Sequence, residues 1–202
     1  MSPQGRGYAS SSELLRGYFF ERYFEMFGAR AAVRGFLSPD DKLGDSPDPF
    51  AEQFVELQVD TYLNSMDRKL QSMKRGVVAL ESIRREVLSR PSPPSDSLRE
   101  RFKRFAAQVE DDANGLHDMV SAVVNFSERE RPSKIEGMSY SDDFFGPEVD
   151  FLASQVGRAE VELKDMFLEP SNVVTVDELR SDNVLTELRS IERVSKGIRQ
   201  GR

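Results

Sequence analysis

Two stretches of this chain carry the same apolar spacing on either side of a proline-rich bend, and that symmetry constrains the fold more than any other feature. In the first, apolar residues fall at Val59, Leu63, Met66, Leu70, Met73, Val77, Leu80 and Val87, with Arg84 as the one polar interruption. In the second they fall at Leu98, Phe102, Phe105, Val109, Leu116, Met119, Val123 and Phe126, interrupted by Asp112. Steps of four and three residues place side chains along one stripe of an α-helix, the seam of a coiled coil. Pro91, Pro93 and Pro94 lie between the stretches. Proline removes a backbone donor and crowds the preceding turn, so the chain breaks there. Each helix is then about 50 to 60 Å long at a rise of about 1.5 Å per residue.

Folding the chain at residues 92 and 93 predicts an antiparallel hairpin with a definite charge register. Arg99 falls near Glu86 and Arg104 near Glu81, while Glu110 and Asp111 fall near Arg75 and Lys74, and Asp118 near Arg68 and Lys69. The same fold brings Leu98, Phe105, Met119 and Phe126 level with Val87, Leu80, Met66 and Val59. Opposite charges beside a shared apolar seam are how coiled-coil partners set register. The first helix has Asp48 and Pro49 at its start, suited to the cap and the first helical position. The second opens on a Ser97-Leu98-Arg99-Glu100 capping box.

Further Pro, Ser and Gly clusters at 38–49, 131–147 and 170–172 delimit three more segments. From Pro147 to about Glu169 the residues Phe145, Val149, Leu152, Val156, Ala159, Leu163 and Met166 keep the four-three spacing. The last segment starts at a Thr175-Val176-Asp177-Glu178 capping box and runs through Val184, Leu188, Ile191 and Ile198 to a basic end at Arg193, Lys196, Arg199 and Arg202. Cations there suit the negative end of a helix dipole. Val173 to Val176 read as a linker, no second strand signal being present.

The first segment differs in kind. Ser10 and Glu13 can cap a helix on which Leu15, Phe19, Phe20, Tyr23, Phe24, Met26 and Phe27 cover about half the circumference. So wide an arc exceeds what a two-helix seam uses, and it must be buried against something. The expected fold is therefore all-α: an elongated antiparallel bundle of four main helices around a coiled-coil-like hairpin, plus this aromatic N-terminal helix. The organisation expected is residues 1–47 as aromatic amphipathic helix and Pro/Asp-rich linker, with 48–202 as the bundle.

Composition narrows the functions. Of 202 residues, 31% are charged and 38% hydrophobic, with 14 Phe and no Trp. That balance suits helices joined along narrow seams better than a thick core. The net charge of -7 opposes general nucleic-acid binding. With Cys absent, disulfides, thiolate zinc sites and cysteine nucleophiles are excluded. A cytoplasmic or other reducing compartment is compatible with this. No run of about 18 apolar residues is present, so no transmembrane helix is expected. The first thirty residues lack a secretory hydrophobic region, and Glu13, Glu21 and Glu25 argue against a transit peptide.

Motifs for chemistry are sparse. His117 is the only histidine, and a di-iron bundle needs two Glu-x-x-His pairs. Glu110-Asp111-Asp112 and Glu162-x-x-Asp165 lack the Asp-Asp-x-x-Asp or paired Glu-x-x-Glu spacings of helical magnesium enzymes, and read as solvated faces. No phosphate loop, Gly-x-Ser-x-Gly elbow or His-Glu-x-x-His pair occurs. Arg84 and Asp112 read as polar residues that fix register. Gly76, Gly115 and Gly157 fall inside helices, where each costs about 1 kcal/mol relative to Ala, so close helix approach or a bend is expected.

With no catalytic, cofactor or metal site expected, the reading is a non-catalytic helical adaptor, scaffold or accessory subunit. Its partners are other proteins, within a larger assembly, or a second copy closing unsatisfied seams. The candidate contact residues are Phe19, Phe20, Tyr23, Phe24 and Phe27, since aromatic side chains bury much area at low entropy cost. Two alternatives stand beside it. In architecture alone, with no shared motif, the order of long helices resembles the regulatory domains of syntaxins or BAR-type dimers, which implies a membrane-trafficking or membrane-shaping module. Membrane-surface binding calls for cations beside the aromatic arc, and residues 1–37 hold five Arg against three Glu, a weak excess. The other alternative is a small all-α enzyme using clustered carboxylates and a divalent metal.

Overall fold

A computed structural model describes residues 10–28, 49–89, 94–129, 145–168 and 181–201. They form five helices: α1, Ser11–Tyr23, continued by a wider π-helical turn at Phe24–Gly28; α2, Pro49–Ser89; α3, Asp96–Arg129; α4, Gly146–Leu168; and α5, Ser181–Arg199. No strand occurs among the described residues. The protein is all-α, a helical bundle with an aromatic helix at its N-terminal end. The Thr175–Glu178 capping box and the Val173–Val176 linker lie outside the described residues.

The chain forms two compact units: one from Met1–Ser65, Ala122–Phe144 and Lys196–Arg202, the other from Met66–Ser121 and Phe145–Ser195.

The second unit holds residues 66–89 of α2 and 96–121 of α3, the part of the hairpin next to its bend. On α2, Met66, Leu70, Met73, Val77, Leu80 and Val87 are buried, as the spacing predicts. Antiparallel pairing with α3 follows from its contacts: Glu86 accepts from Arg101 at 3.5 Å, Ser72 from Gln108 at 2.7 Å, and Lys69 meets Asp112 at 3.9 Å. As the α2 number falls, the α3 number rises. Gly76 sits at a close approach of the two helices, since a Cβ there would collide with Val109.

Four details differ from expectation. Val59, the first step of the expected seam on α2, is only half-buried. The buried line on α3 runs Phe102, Ala106, Val109, Ala113, Leu116, Val120 and Val123, while Phe105, Asp112 and Met119 are only half-buried. The seam has moved one residue at alternate steps, because small side chains admit a neighbouring helix where Phe and Met would hold it off. On α2, Ile83 fills the step assigned to Arg84, which lies at the edge. The cap of α3 is Ser95 rather than Ser97: its Oγ accepts from Leu98 N at 3.3 Å, two residues ahead of the capping box.

Lys74 reaches Glu192 of α5, and Glu192 also accepts from Gln71 at 2.8 Å. Ser195 takes the seam step between Ile191 and Ile198 on α5, and its Oγ donates to Asp67 at 3.3 Å. These contacts fix α5 antiparallel to α2. On α4, Phe145, Val149, Leu152 and Val156 are buried at the expected spacing. A fully buried side chain of this size contributes about 1.5–3 kcal/mol.

In the first unit, α1 lies against the opening turns of α2 and the closing turns of α3. Ser10 accepts from Glu13 N at 3.3 Å, the cap its sequence predicts. Leu14 and Leu15 are buried with Ala51, Val55, Tyr62 and Leu63 of α2, Val123 and Phe126 of α3, and Ile198 of α5. Phe19 meets Tyr62 edge-on at 5.8 Å between centroids, and Tyr18 meets Phe126 at 5.6 Å. Arg16 pairs with Glu56 at 3.2 Å.

Candidate functional site: the aromatic face of α1

The five aromatic candidates divide between two environments. Phe19 is half-buried and turned toward Tyr62, a packing residue of the unit. Tyr23 is half-buried against Phe54 at 5.4 Å. Phe20, Phe24 and Phe27 remain 39%, 42% and 40% exposed, with Met26 at 51%. The rings form a continuous series: Phe20 to Phe24 at 5.0 Å, Phe24 to Tyr23 at 5.9 Å, Tyr23 to Phe27 at 4.9 Å, and Phe27 to Phe54 at 5.9 Å. The π-helical turn carries Phe24, Met26 and Phe27; such widened turns recur at functional sites.

Sequence reasoning missed the α2 side of this surface. Phe50 and Leu57, 75% and 63% exposed, sit four residues before and three after Phe54, on its side of the helix. The Phe50-x-x-x-Phe54-x-x-Leu57 spacing was available as a signal. It lies upstream of Val59, where the heptad pattern begins, and so falls outside the seam.

Behind this surface a shallow cavity of about 150 Å³ is lined by Tyr18, Glu21, Arg22, Glu25, Ala122, Asn125 and Phe126. Arg22 donates to Glu25 at 3.1 Å and lies over the Tyr18 ring. The hydrogen bond with the Tyr18 hydroxyl, then Glu25, raises the Arg22 pKa and holds the guanidinium charged. With Glu25 against that cation and Glu21 in the wall, the cavity is not arranged to take an anion.

His117 has a more specific setting than its sequence suggests. Its Nδ1 lies 3.1 Å from Asp150 Oδ1 on α4, and its Nε2 lies 3.4 Å from Ser121 Oγ. Hydroxyl, imidazole and carboxylate stand in the order that activates a serine nucleophile. The rest of such a site is not found among the described residues. The His117 and Asp150 side chains are 46% and 68% exposed. Backbone N–H groups around Ser121 belong to the interior of α3, where each is used by the carbonyl four residues earlier, so that stretch of backbone offers no donor to an oxyanion. The trio joins α3 to α4 and contributes at most about 1 kcal/mol.

No group of three or more His, Asp or Glu that could hold a metal occurs among the described residues. Asp112 faces Lys69, and the side chains of Glu162 and Asp165 lie outside the described residues. No helix among the described residues is long and apolar enough to cross a membrane.

The fold and this surface define a helical-bundle class of protein. No family model, curated protein or solved structure matches the chain.

Proposed function

We propose that the chain is a non-catalytic helical adaptor or accessory subunit that docks another protein on the aromatic face of α1. One observation carries this reading: α1 buries Leu14 and Leu15 in the first unit, while Phe20 and, on the π-helical turn that continues it, Phe24, Met26 and Phe27 stay exposed. Single exposed apolar residues are ordinary on any surface, whereas a contiguous aromatic patch marks an interaction site. Aromatic side chains are the usual anchors of such interfaces.

A photo-crosslinking side chain at Phe24 tests this in the native cell, with one at the exposed Ala107 of α3 as control. The expected result is a covalent adduct with one identified protein from Phe24 and none from Ala107. That protein, purified, then binds the chain directly. Absence of a Phe24 adduct, or the same adducts from both positions, would contradict the reading.

A further inference from the structure

One side of the second unit is basic, although the chain carries a net charge of -7. Residues 66–89 of α2 and 181–195 of α5 hold eight cations against six carboxylates. Ion pairs engage Lys69 with Asp112, Lys74 with Glu192, Arg85 with Glu81, and Glu86 with Arg101, and Arg84 is half-buried at the seam edge. That leaves Arg68 and Arg75 on α2 with Arg189 and Arg193 on α5, all four exposed. Arg75 donates to the Gln71 carbonyl of its own helix at 3.2 Å, and none of the four pairs with a carboxylate among the described residues.

Contacts between the two helices place these arginines on one face. Gln71 and Lys74 meet Glu192, and Asp67 meets Ser195, so these positions mark the line where α2 and α5 touch. Arg68, Arg75 and Arg193 each follow such a residue by one step, a turn of about 100° that leads away from the buried stripe. Because the helices run antiparallel, the same step carries both sets of side chains to the same outer side. Arg189 lies four residues before Arg193 and shares its line. Arg68 and Arg75 are two turns, about 10 Å, apart, and packed helices lie about 8–10 Å from each other. The patch is therefore about 10 Å across in each direction. Glu192 beside it is already held by Lys74 and Gln71, and Asp182 lies seven residues, about 10 Å, ahead of Arg189.

We propose that this face of the second unit is a docking surface, independent of the aromatic one, and that its occupant is a short acidic segment of another protein. The planar guanidinium fork suits carboxylates, to which it donates two parallel hydrogen bonds. Patch size decides among anionic partners. A membrane or a nucleic acid extends well beyond the four arginines and would bring the acidic remainder of the chain against like charge. A segment with a few carboxylates meets the arginines alone.

The test uses the full chain and two fluorescein-labelled peptides of about eight residues, which span about 26 Å when extended. In one, Glu and Ser alternate, giving one carboxylate per guanidinium group; in the other, Gln replaces Glu. Fluorescence anisotropy at about 0.05 M salt should show the Glu peptide binding at least about ten-fold more tightly, with the gap closing at about 0.5 M. Arg68→Gln with Arg75→Gln, and separately Arg189→Gln with Arg193→Gln, should each weaken the Glu peptide about ten-fold or more. Arg104→Gln with Arg158→Gln removes the same charge from exposed positions of α3 and α4 and should leave binding within about two-fold. Thermal melts of the variants should coincide, since only exposed positions change. Equal weakening by all three pairs would reveal attraction to net charge and overturn the proposal. Weakening by only one arginine pair of the patch would overturn a face shared by two helices. Failure of the Glu peptide to bind, or equal binding of both peptides, would overturn it as well. So would phosphatidylserine vesicles or single-stranded DNA that bind the chain through the same four arginines, which would assign the face to an extended polyanion. None of these outcomes bears on the Phe24 crosslink, so the two faces stand or fall separately.

Discussion

Tyr62 shows how a single side chain ties burial to pH. It is 9% exposed, under Phe19, and burial is the main cause that pushes its phenol pKa well above the ordinary value of 10.0, with Tyr18 adding to it. A raised folded-state pKa means the unfolded chain releases this proton first. Stability from Tyr62 is thus fully present below the unfolded pKa of about 10 and declines as pH rises toward the folded pKa. Urea unfolding between about pH 9 and pH 11.5 should show stability falling from about pH 10. Tyr62→Phe should flatten that decline, and an unchanged slope would contradict the assignment. The polar seam residues act differently. Ser195 meets Asp67, and Asp112 meets Lys69 from the seam's edge, so each marks one register between helices. The sequence position of Asp112 marks it as a register residue, whereas Ser195 resembles any exposed serine until α5 is laid on α2.

At the scale of elements, two helical glycines have opposite surroundings. Gly76 lies where α2 meets α3, and a Cβ would collide with Val109, whose β-branched side chain has little freedom to move aside. A Cβ on Gly157 of α4 would meet nothing within 4 Å. Gly157→Ala should therefore stabilise by about 0.5–1 kcal/mol through helix propensity. Gly76→Ala should destabilise by about 1–3 kcal/mol despite the same propensity gain, and adding Val109→Ala should recover part of the loss. Thermal unfolding of the three variants checks this; similar shifts for both glycines would show that the helices are not in close contact at Gly76. The helices were legible because four-three spacing survives small errors in assigning individual steps. The finer register was less so. Ala106, Ala113 and Val120 lie inward where Phe105, Asp112 and Met119 sit at the edge, since hydrophobicity draws a stripe toward large residues while close packing favours small ones. Charge pairing was also only approximate. Glu86 accepts from Arg101 rather than from Arg99, its expected neighbour, and Lys74 reaches Glu192 of α5. Long flexible cations choose among several carboxylates at little energetic difference, so sequence alignment of charges constrains direction better than partner.

For the molecule as a whole, the all-α class followed from periodicity, whereas the site depended on contacts that join distant segments. The wide arc of α1 announced an aromatic surface, yet its division into an inner and an outer part rests on Phe54, Tyr62 and Phe126, thirty or more residues away. The trio of Ser121, His117 and Asp150 likewise forms only when α4 meets α3. The proposed role depends on α1 being anchored by one side and open on the other. Urea unfolding of the full chain with Leu15→Ala and, separately, Phe24→Ser tests that division. Leu15 is fully buried and Phe24 is 42% exposed, so the first should cost about 2–5 kcal/mol and the second less than about 1 kcal/mol. Equal losses, or a larger loss at Phe24, would contradict an outward aromatic face.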